Sequence, residues 1–313
     1  MTNFKLKSTL ILCLSLLFAF FCASTLTRAG AMPFYDLKPQ EIVFRAEFST
    51  DYRKSSAERK HNIALAAKSL DKTLIDVGGE FSFNRAVGER TQKRGYRIAK
   101  IIVNGEFTEG VGGGVCQVST TLYNAALLAG LCVTESHPHS LSVGYVPLSF
   151  DAMVNSGSAD LRFINRTHNP VIIRTFADGN TLTVKIYGEK MREKYRLKSV
   201  IKKEIKPEFI TLIDKDGKYP DLYAGETRVL SYGKKGYESE GFLIKITDGK
   251  TASVRIRKDF YAAIKGVIAE GTAIRPTDPP DVSGVTDVTG IMTVTSVASK
   301  KRSPENMATA FLR

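Results

Sequence analysis

The stretch Gly110-Val111-Gly112-Gly113-Gly114-Val115-Cys116-Gln117 constrains this chain more than any other. Consecutive glycines permit backbone conformations and close approaches that a Cβ forbids. Helical spacing begins directly behind them, with Val118, Leu122, Ala125, Ala126 and Ala129 recurring on one face and Gly130 placed as a C-cap. The pattern predicts an amphipathic helix from Cys116 to Gly130 whose small, alanine-rich face packs tightly on a sheet. Cys116 then opens the helix, where orphan amides and the positive dipole end favour a thiolate.

The rest of the chain supplies the sheets. Ser55-Ser56-Ala57-Glu58 has the form of a capping box, and Ile63, Ala66, Ala67, Leu70 and Leu74 continue it as a helix over about 56–75. Residues 41–48 read either as a strand or as a loose arm. Short strands are expected at 80–84, 96–103, 106–109, 141–146, 151–154, 161–164, 171–176 and 181–187, with Asn104-Gly105 as a hairpin turn. Helix, strands, one central helix and more strands make an α+β layout, not an alternating βαβ one. A charge-dense segment follows and reads as a linker. Strands at 209–213, 227–232, 242–247, 252–256 and 262–268 then form a small all-β domain, with Asp248-Gly249-Lys250 as a hairpin. The expected organisation is an N-terminal segment 1–31, a lead-in 32–54, an α+β domain 55–190, a linker 191–206, a β domain 207–273 and a Pro-rich flexible tail 274–313.

The N-terminal segment has the pattern of an export signal. Lys5 and Lys7 precede an apolar run from Thr9 to Cys22, and Ala29-Gly30-Ala31 offers a cleavage site. An uncleaved anchor is the alternative, and the only route to a membrane. Cleavage removes Cys13 and Cys22 and leaves Cys116 and Cys132 in an exported chain. At 1.5 Å per helical residue these two lie about 20 Å apart, too far for a disulfide, whose Cα atoms lie within about 7 Å. Cys132, between Leu131 and Val133, reads as a small buried hydrophobe. Cys116 is a free thiol.

A formal net charge of +13 predicts attraction to anionic surfaces. No basic stripe interleaved with aromatics, helix-turn-helix or zinc-finger spacing is present, so nucleic acid is not expected as a partner. Peptidoglycan or another anionic cell-wall polymer is.

A catalytic cysteine needs a base within hydrogen-bond reach and a third group to orient that base. His139 is the better candidate base. His137 is separated from it by Pro138, and alternation points both to one face. Asp151 and Asp160 are the available orienting carboxylates, with Asp151 taken as the catalytic one. The glycines allow amides to converge into an oxyanion hole. Gly113, Gly114, Gln117, Ser119, Thr120, His137, Tyr145 and Asp160 are expected at the substrate, although Ser119, Thr120 and Thr121 would equally bond back into their own helix turn. A Cys116, His137, His139 metal site has too few ligands and unhelpful spacing; no metal or cofactor is expected. The bland alternative is a buried, inert Cys116 in a turn that merely seats the helix. The order Cys, His, Asp is similar to the transglutaminase and papain-like arrangement, a likeness of layout alone.

Gly88-Glu89-Arg90-Thr91, Gly95-Tyr96, Gly112 through Ala125, His139-Ser140, Tyr145-Val146-Pro147, Asp151-Ala152 and Val154 resemble the VanW family over about residues 78–190. Met153 departs from its usual Thr. Residues 199–274, through Gly233, Gly236, Gly241, Gly249, Gly266 and Gly271, resemble the G-five domain. The resemblance implies an exported envelope protein linked to the cell wall, without a settled reaction. Two functions are therefore expected as rivals: thiol-dependent acyl transfer or amide hydrolysis on wall peptides, or non-catalytic wall binding with a peptide-recognising first domain and a glycan-binding second one.

Overall fold

The computed structural model describes residues 41–103 and 105–275. The segment expected to be an export signal, the turn residue Asn104 and nearly all of the expected flexible tail lie outside the described residues. The described chain is mostly β, in several small and largely antiparallel sheets, with few helices.

The lead-in contains a strand. β1 (Val43–Asp51) enters at the edge of a four-stranded sheet. α1 (Ala57–Leu70) starts at Ser56, whose hydroxyl accepts the Arg59 N–H at 3.2 Å. It stops five residues before the expected end, because Lys72 takes a φ of 65° and β2 (Thr73–Ile75) leaves to join the sheet. β3 (Glu80–Ser82) is likewise cut short: Ser82 caps a one-turn helix, α2 (Phe83–Val87), where a longer strand was expected. β4 (Ile98–Val103) and β5 (Glu106–Val111) form the expected hairpin, with Gly105 at φ 79°.

The Cys-initiated helix, α3 (Val115–Leu128), runs from the glycines to Gly130, where Gly130 N–H bonds Leu127 O and Leu131 N–H bonds Ala126 O. Its expected polar face does not exist. From Val115 to Leu127 every residue except Cys116 is buried. The hydroxyls and amides that look like a solvated face bond inward: Thr121 Oγ1 lies 2.8 Å from Thr50 Oγ1 on β1, and Asn124 Nδ2 donates to Phe150 O at 2.7 Å.

β6 (Cys132–Glu135) and β7 (Arg162–Ile164) form a three-stranded sheet with β3. β8 (Val171–Ala177) and β9 (Thr181–Gly188) are the central strands of the four-stranded sheet, ordered β1-β9-β8-β2, and the buried Leu182, Val184 and Ile186 of β9 alternate with less buried residues.

The strands expected at 141–146 and 151–154 are absent; the long arm between β6 and β7 is irregular, with a single bridge from His137 to Met153. Its backbone groups are satisfied by side chains instead of a ladder. Ala152 N–H donates to Thr120 Oγ1 at 2.9 Å, and Ser119 Oγ donates to Ala152 O at 2.6 Å.

The segment read as a linker is β10 (Lys194–Ile205), a twelve-residue strand. Its Lys, Arg and Glu residues hid an alternation that sends Leu197 against the core. After β11 (Phe209–Ile213) and β12 (Thr227–Ser231), β13 (Gly236–Thr247) and β14 (Lys250–Tyr261) join β10 in a sheet ordered β10-β13-β14. β15 (Gly266–Glu270) lies between β11 and β12, parallel to the first and antiparallel to the second. Leu243 of β13 and Ile256 of β14 also pack on the main core, so this sheet is joined to the first part of the chain. Among the described residues no helix is long and apolar enough to cross a membrane.

Candidate active site

Cys116 is held at the start of a buried helix and is itself partly buried against the core. The glycines before it are packing devices. A Cβ on Gly113 would lie 2.7 Å from Lys100 O and 2.8 Å from Ala99 O, so β4 passes directly against the turn. Gly114 has φ 109° and faces Arg59 and Ile63 of α1. The amides of Val115 and Gln117 bond Gly112 O and Gly114 O, which removes both from any oxyanion hole.

His139 reaches this thiol from the irregular arm. Its Nδ1 lies 2.6 Å from Asp151 Oδ2, its backbone N–H donates to the same oxygen at 2.7 Å, and the ring acts electrostatically on the Cys116 thiol. With Nδ1 taken by Asp151, the other ring nitrogen is left free of that carboxylate. His139 is 6 % and Asp151 1 % exposed, so solvent screens their interaction little. Asp151 Oδ1 accepts from Tyr261 Oη at 2.5 Å. In its neutral form the thiol donates to Val154 O at 3.4 Å.

The electrostatics favour a thiolate–imidazolium pair. Burial pushes the Cys116 thiol up, but the hydrogen bond and charge of His139 and the Arg90 guanidinium outweigh it and hold the thiol below its ordinary value. Burial opposes charge on His139, yet its bonds to Asp151 and Cys116 raise it to about 9. Burial also works against the Asp151 carboxylate, and His139, Arg257 and Tyr261 overcome it, leaving Asp151 below the usual carboxylate range. Burial and the charges of Cys116 and Asp151 push the Tyr145 hydroxyl up, so it stays protonated.

The structure brings Cys116, His139, Asp151 and Tyr145 together and leaves other expected residues elsewhere. His137 is engaged by another carboxylate: its Nε2 lies 2.9 Å from Glu135 Oε1. Asp160 is not at the histidine: it accepts Ser82 Oγ at 2.6 Å and the Asn84 N–H at 2.8 Å. Gln117 is buried between Arg59 and β1, accepting from Arg59 Nη2 at 2.8 Å and donating to Thr50 Oγ1 at 3.0 Å. Ser119 and Thr120 hold the Ala152 backbone beside Asp151. Cys132 is free and half-buried, not fully buried. Arg59, Arg90, Arg257 and Tyr261 were not foreseen. Arg90 carries a sequence signal, since it lies in the Gly88-Glu89-Arg90-Thr91 string. Arg257 and Tyr261 carry none, being more than a hundred residues from Asp151 (|i−j| 106 and 110).

Residues 58–187 match the model of the family described as "VanW like protein". The chain carries a VanW-like domain. The "Uncharacterized protein YoaR" of Bacillus subtilis (strain 168) is 41% identical over 167 residues, 52% of this chain and 55% of that protein. The "Vancomycin B-type resistance protein VanW" of Enterococcus faecalis (strain ATCC 700802 / V583) is 30% identical over 134 residues, 41% of this chain and 49% of that protein. The chain thus spans about half the length of the curated relatives it matches. Among solved structures, "IgA1 Protease G5 domain structure" aligns with TM-score 0.19 and 20% identity, covering 26% of this chain and 92% of that one. "Crystal structure of HP0197-G5" aligns with TM-score 0.17 and 17% identity, covering 26% of this chain and 100% of that one. The VanW-like match contains Cys116, His139, Asp151 and Tyr145; Arg257 and Tyr261 lie beyond it.

Proposed function

We propose that this is an exported cell-envelope protein whose VanW-like domain performs thiol-dependent acyl transfer or amide hydrolysis on peptidoglycan or other wall peptides. The observation that carries the reading is the buried His139 ring, held by Asp151 at 2.6 Å and acting on the Cys116 thiol to keep it below its ordinary value. Structural seating of a helix requires no such chain of buried polar groups.

In the proposed reaction the Cys116 thiolate adds to an amide carbonyl carbon. In this reading protonated Tyr145 donates to the oxyanion. The C–N bond breaks as the His139 imidazolium passes its proton to the departing amine, leaving a thioester on Cys116. Neutral His139 then takes a proton from water or from an acceptor amine, whose attack releases the acid or the new amide and restores the thiolate. The net charge of +13 suits an anionic wall polymer.

The test is incubation of the full chain with defined muropeptides and mass analysis of products. A cleaved or exchanged peptide is expected, with no product from Cys116→Ala and unchanged retention of that variant on isolated wall. If the parent and Cys116→Ala give the same product pattern, the reading is wrong. The pH dependence follows from the two shifts. The reactive pair needs Cys116 deprotonated, which its lowered pKa allows below the ordinary thiol range, and His139 protonated, which is lost as pH rises through about 9. A bell in kcat/KM with its alkaline limb near 9 is expected. An alkaline limb near 6.5, the usual histidine value, would mean that Asp151 does not act on His139 as described.

A further inference from the structure

The strand pair β13–β14 grips the arm carrying His139 and Asp151 from both of its ends. At one end, Ala262 N–H, directly after β14, donates to the carbonyl of Ser140 at 2.8 Å, one residue past His139. At the other, Ser239 Oγ lies 2.7 Å from Ser149 Oγ, and the Ser149 N–H donates to Tyr261 Oη at 2.8 Å. That phenol then donates to Asp151 Oδ1 at 2.5 Å. Arg257 Nη1 donates to the Asp151 carbonyl, and its Nη2 lies 3.6 Å from Asp151 Oδ1 and 3.0 Å from Asp259 Oδ2. The Arg257 guanidinium also lies over the ring of Tyr123 on the helix that Cys116 opens, 5.7 Å from its centroid.

The two carboxylate oxygens of Asp151 therefore have separate duties. Oδ2 serves His139 alone, and Oδ1 is tied to β14. Without Tyr261, Oδ1 would keep only the longer Arg257 contact in a site 1 % exposed, and the carboxylate would be freer to rotate. A contact serving only to join two sheets does not need a phenol and a guanidinium on the carboxylate that orients a histidine; apolar side chains do that at less desolvation cost.

We infer that the C-terminal β module is a working part of the thiol site, with Tyr261 and Arg257 as positioning residues that fix the Asp151 carboxylate against the His139 imidazole. The consequence for turnover rests on the reading of Cys116 as a nucleophile; the effect on thiol reactivity does not. The charged and titratable groups facing the pair are Arg59 from α1, Arg90 from the loop after α2, Tyr145 from the arm, and Arg257, Asp259 and Tyr261 from β14. Tyr261 and Arg257 withdraw negative charge from the Asp151 side. Removing either makes Cys116 and His139 hold their protons more tightly, and a loosened His139 also stabilises the thiolate less. Both effects move Cys116 ionisation to higher pH.

The test uses the full chain, alkylated with iodoacetamide across pH, with Cys116 and Cys132 resolved by peptide mass and thermal unfolding followed in parallel. Tyr261→Phe and Arg257→Gln are each expected to raise the Cys116 midpoint by about one pH unit, roughly tenfold slower labelling on the acid side. Arg257→Lys, which keeps charge but loses the fork, should fall between Arg257→Gln and the parent. Arg228→Gln, which removes an exposed pair with Asp221 and a cation–π contact with Tyr219, should not move the midpoint. An unmoved midpoint in Tyr261→Phe and Arg257→Gln overturns the inference, even if both melt lower. Should Tyr261→Phe not fold, the Arg257 pair decides alone. If the parent turns over no wall peptide yet the midpoints shift, the proposed function fails and this inference stands. If turnover is seen and the midpoints stay put, the reverse holds.

Discussion

His139→Ala is expected to slow turnover of a wall peptide by about 10²–10⁴-fold, the usual contribution of a positioned acid–base group. It should also return Cys116 to the reactivity of an ordinary thiol, with a pKa of about 8.5. At pH 6.5 only about one per cent of such a thiol is ionised, so labelling near neutrality should fall sharply. The variant should still fold. Asp151 keeps three of its bonds, because the backbone N–H of residue 139 at 2.7 Å, Tyr261 at 2.5 Å and the Arg257 contact at 3.6 Å do not need the imidazole. Loss of function without loss of structure is thus the expected signature, read by comparing unfolding, alkylation and product formation on one preparation. Equal alkylation profiles for parent and His139→Ala would mean that the imidazole does not act on the sulfur.

What the sequence could disclose about this site follows from how local each signal is. A glycine run ending in Cys116 is contiguous, and the following periodicity places the sulfur at a helix start without knowledge of the fold. His139 and Asp151 could be named as the nearby base and orienting carboxylate, but what Asp160 does instead is visible only in the arm's geometry. Both carboxylates are buried; only one meets an imidazole, while the other caps the start of α2. The arm itself misled, since its alternation suggested strands at 141–146 and 151–154. Its backbone partners are side chains of α3 and β14, which no local pattern reports. The supposed polar face of α3 failed for the same reason: Ser119, Thr120, Thr121 and Asn124 look solvated until their buried partners are known. Charge density concealed β10, because lysines on the open side of a strand have the same composition as a linker. The gross order of strands was readable from period-two alternation, whereas the joining of the last sheet to the site was not.

Gly113→Ala is the stability prediction with the largest expected effect, because the clash it makes is with backbone. The new Cβ would sit 2.7 Å from Lys100 O and 2.8 Å from both the carbonyl carbon and oxygen of Ala99. β4 cannot withdraw freely, since Ala99 and Lys100 are in register with Gly110 and Glu109 of β5. The turn cannot withdraw either. The fully buried Asn62 ties it to β4, donating to Gly113 O at 3.0 Å and to Arg97 O at 2.9 Å while accepting the Arg97 N–H at 2.8 Å. Overpacking of this kind costs about 1–3 kcal/mol, and at roughly 2–4 °C per kcal/mol for a chain of this size the melting temperature should drop by several degrees. Gly144→Ala is the matched control, as its Cβ would meet nothing within 4 Å. The same strain should displace the start of α3 and so weaken the sulfur–imidazole contact, raising the Cys116 alkylation midpoint together with the loss of stability. If Gly113→Ala melts with the parent and labels like it, close packing does not explain the glycine. If it melts lower but labels like the parent, the turn seats the helix without setting the position of the thiol.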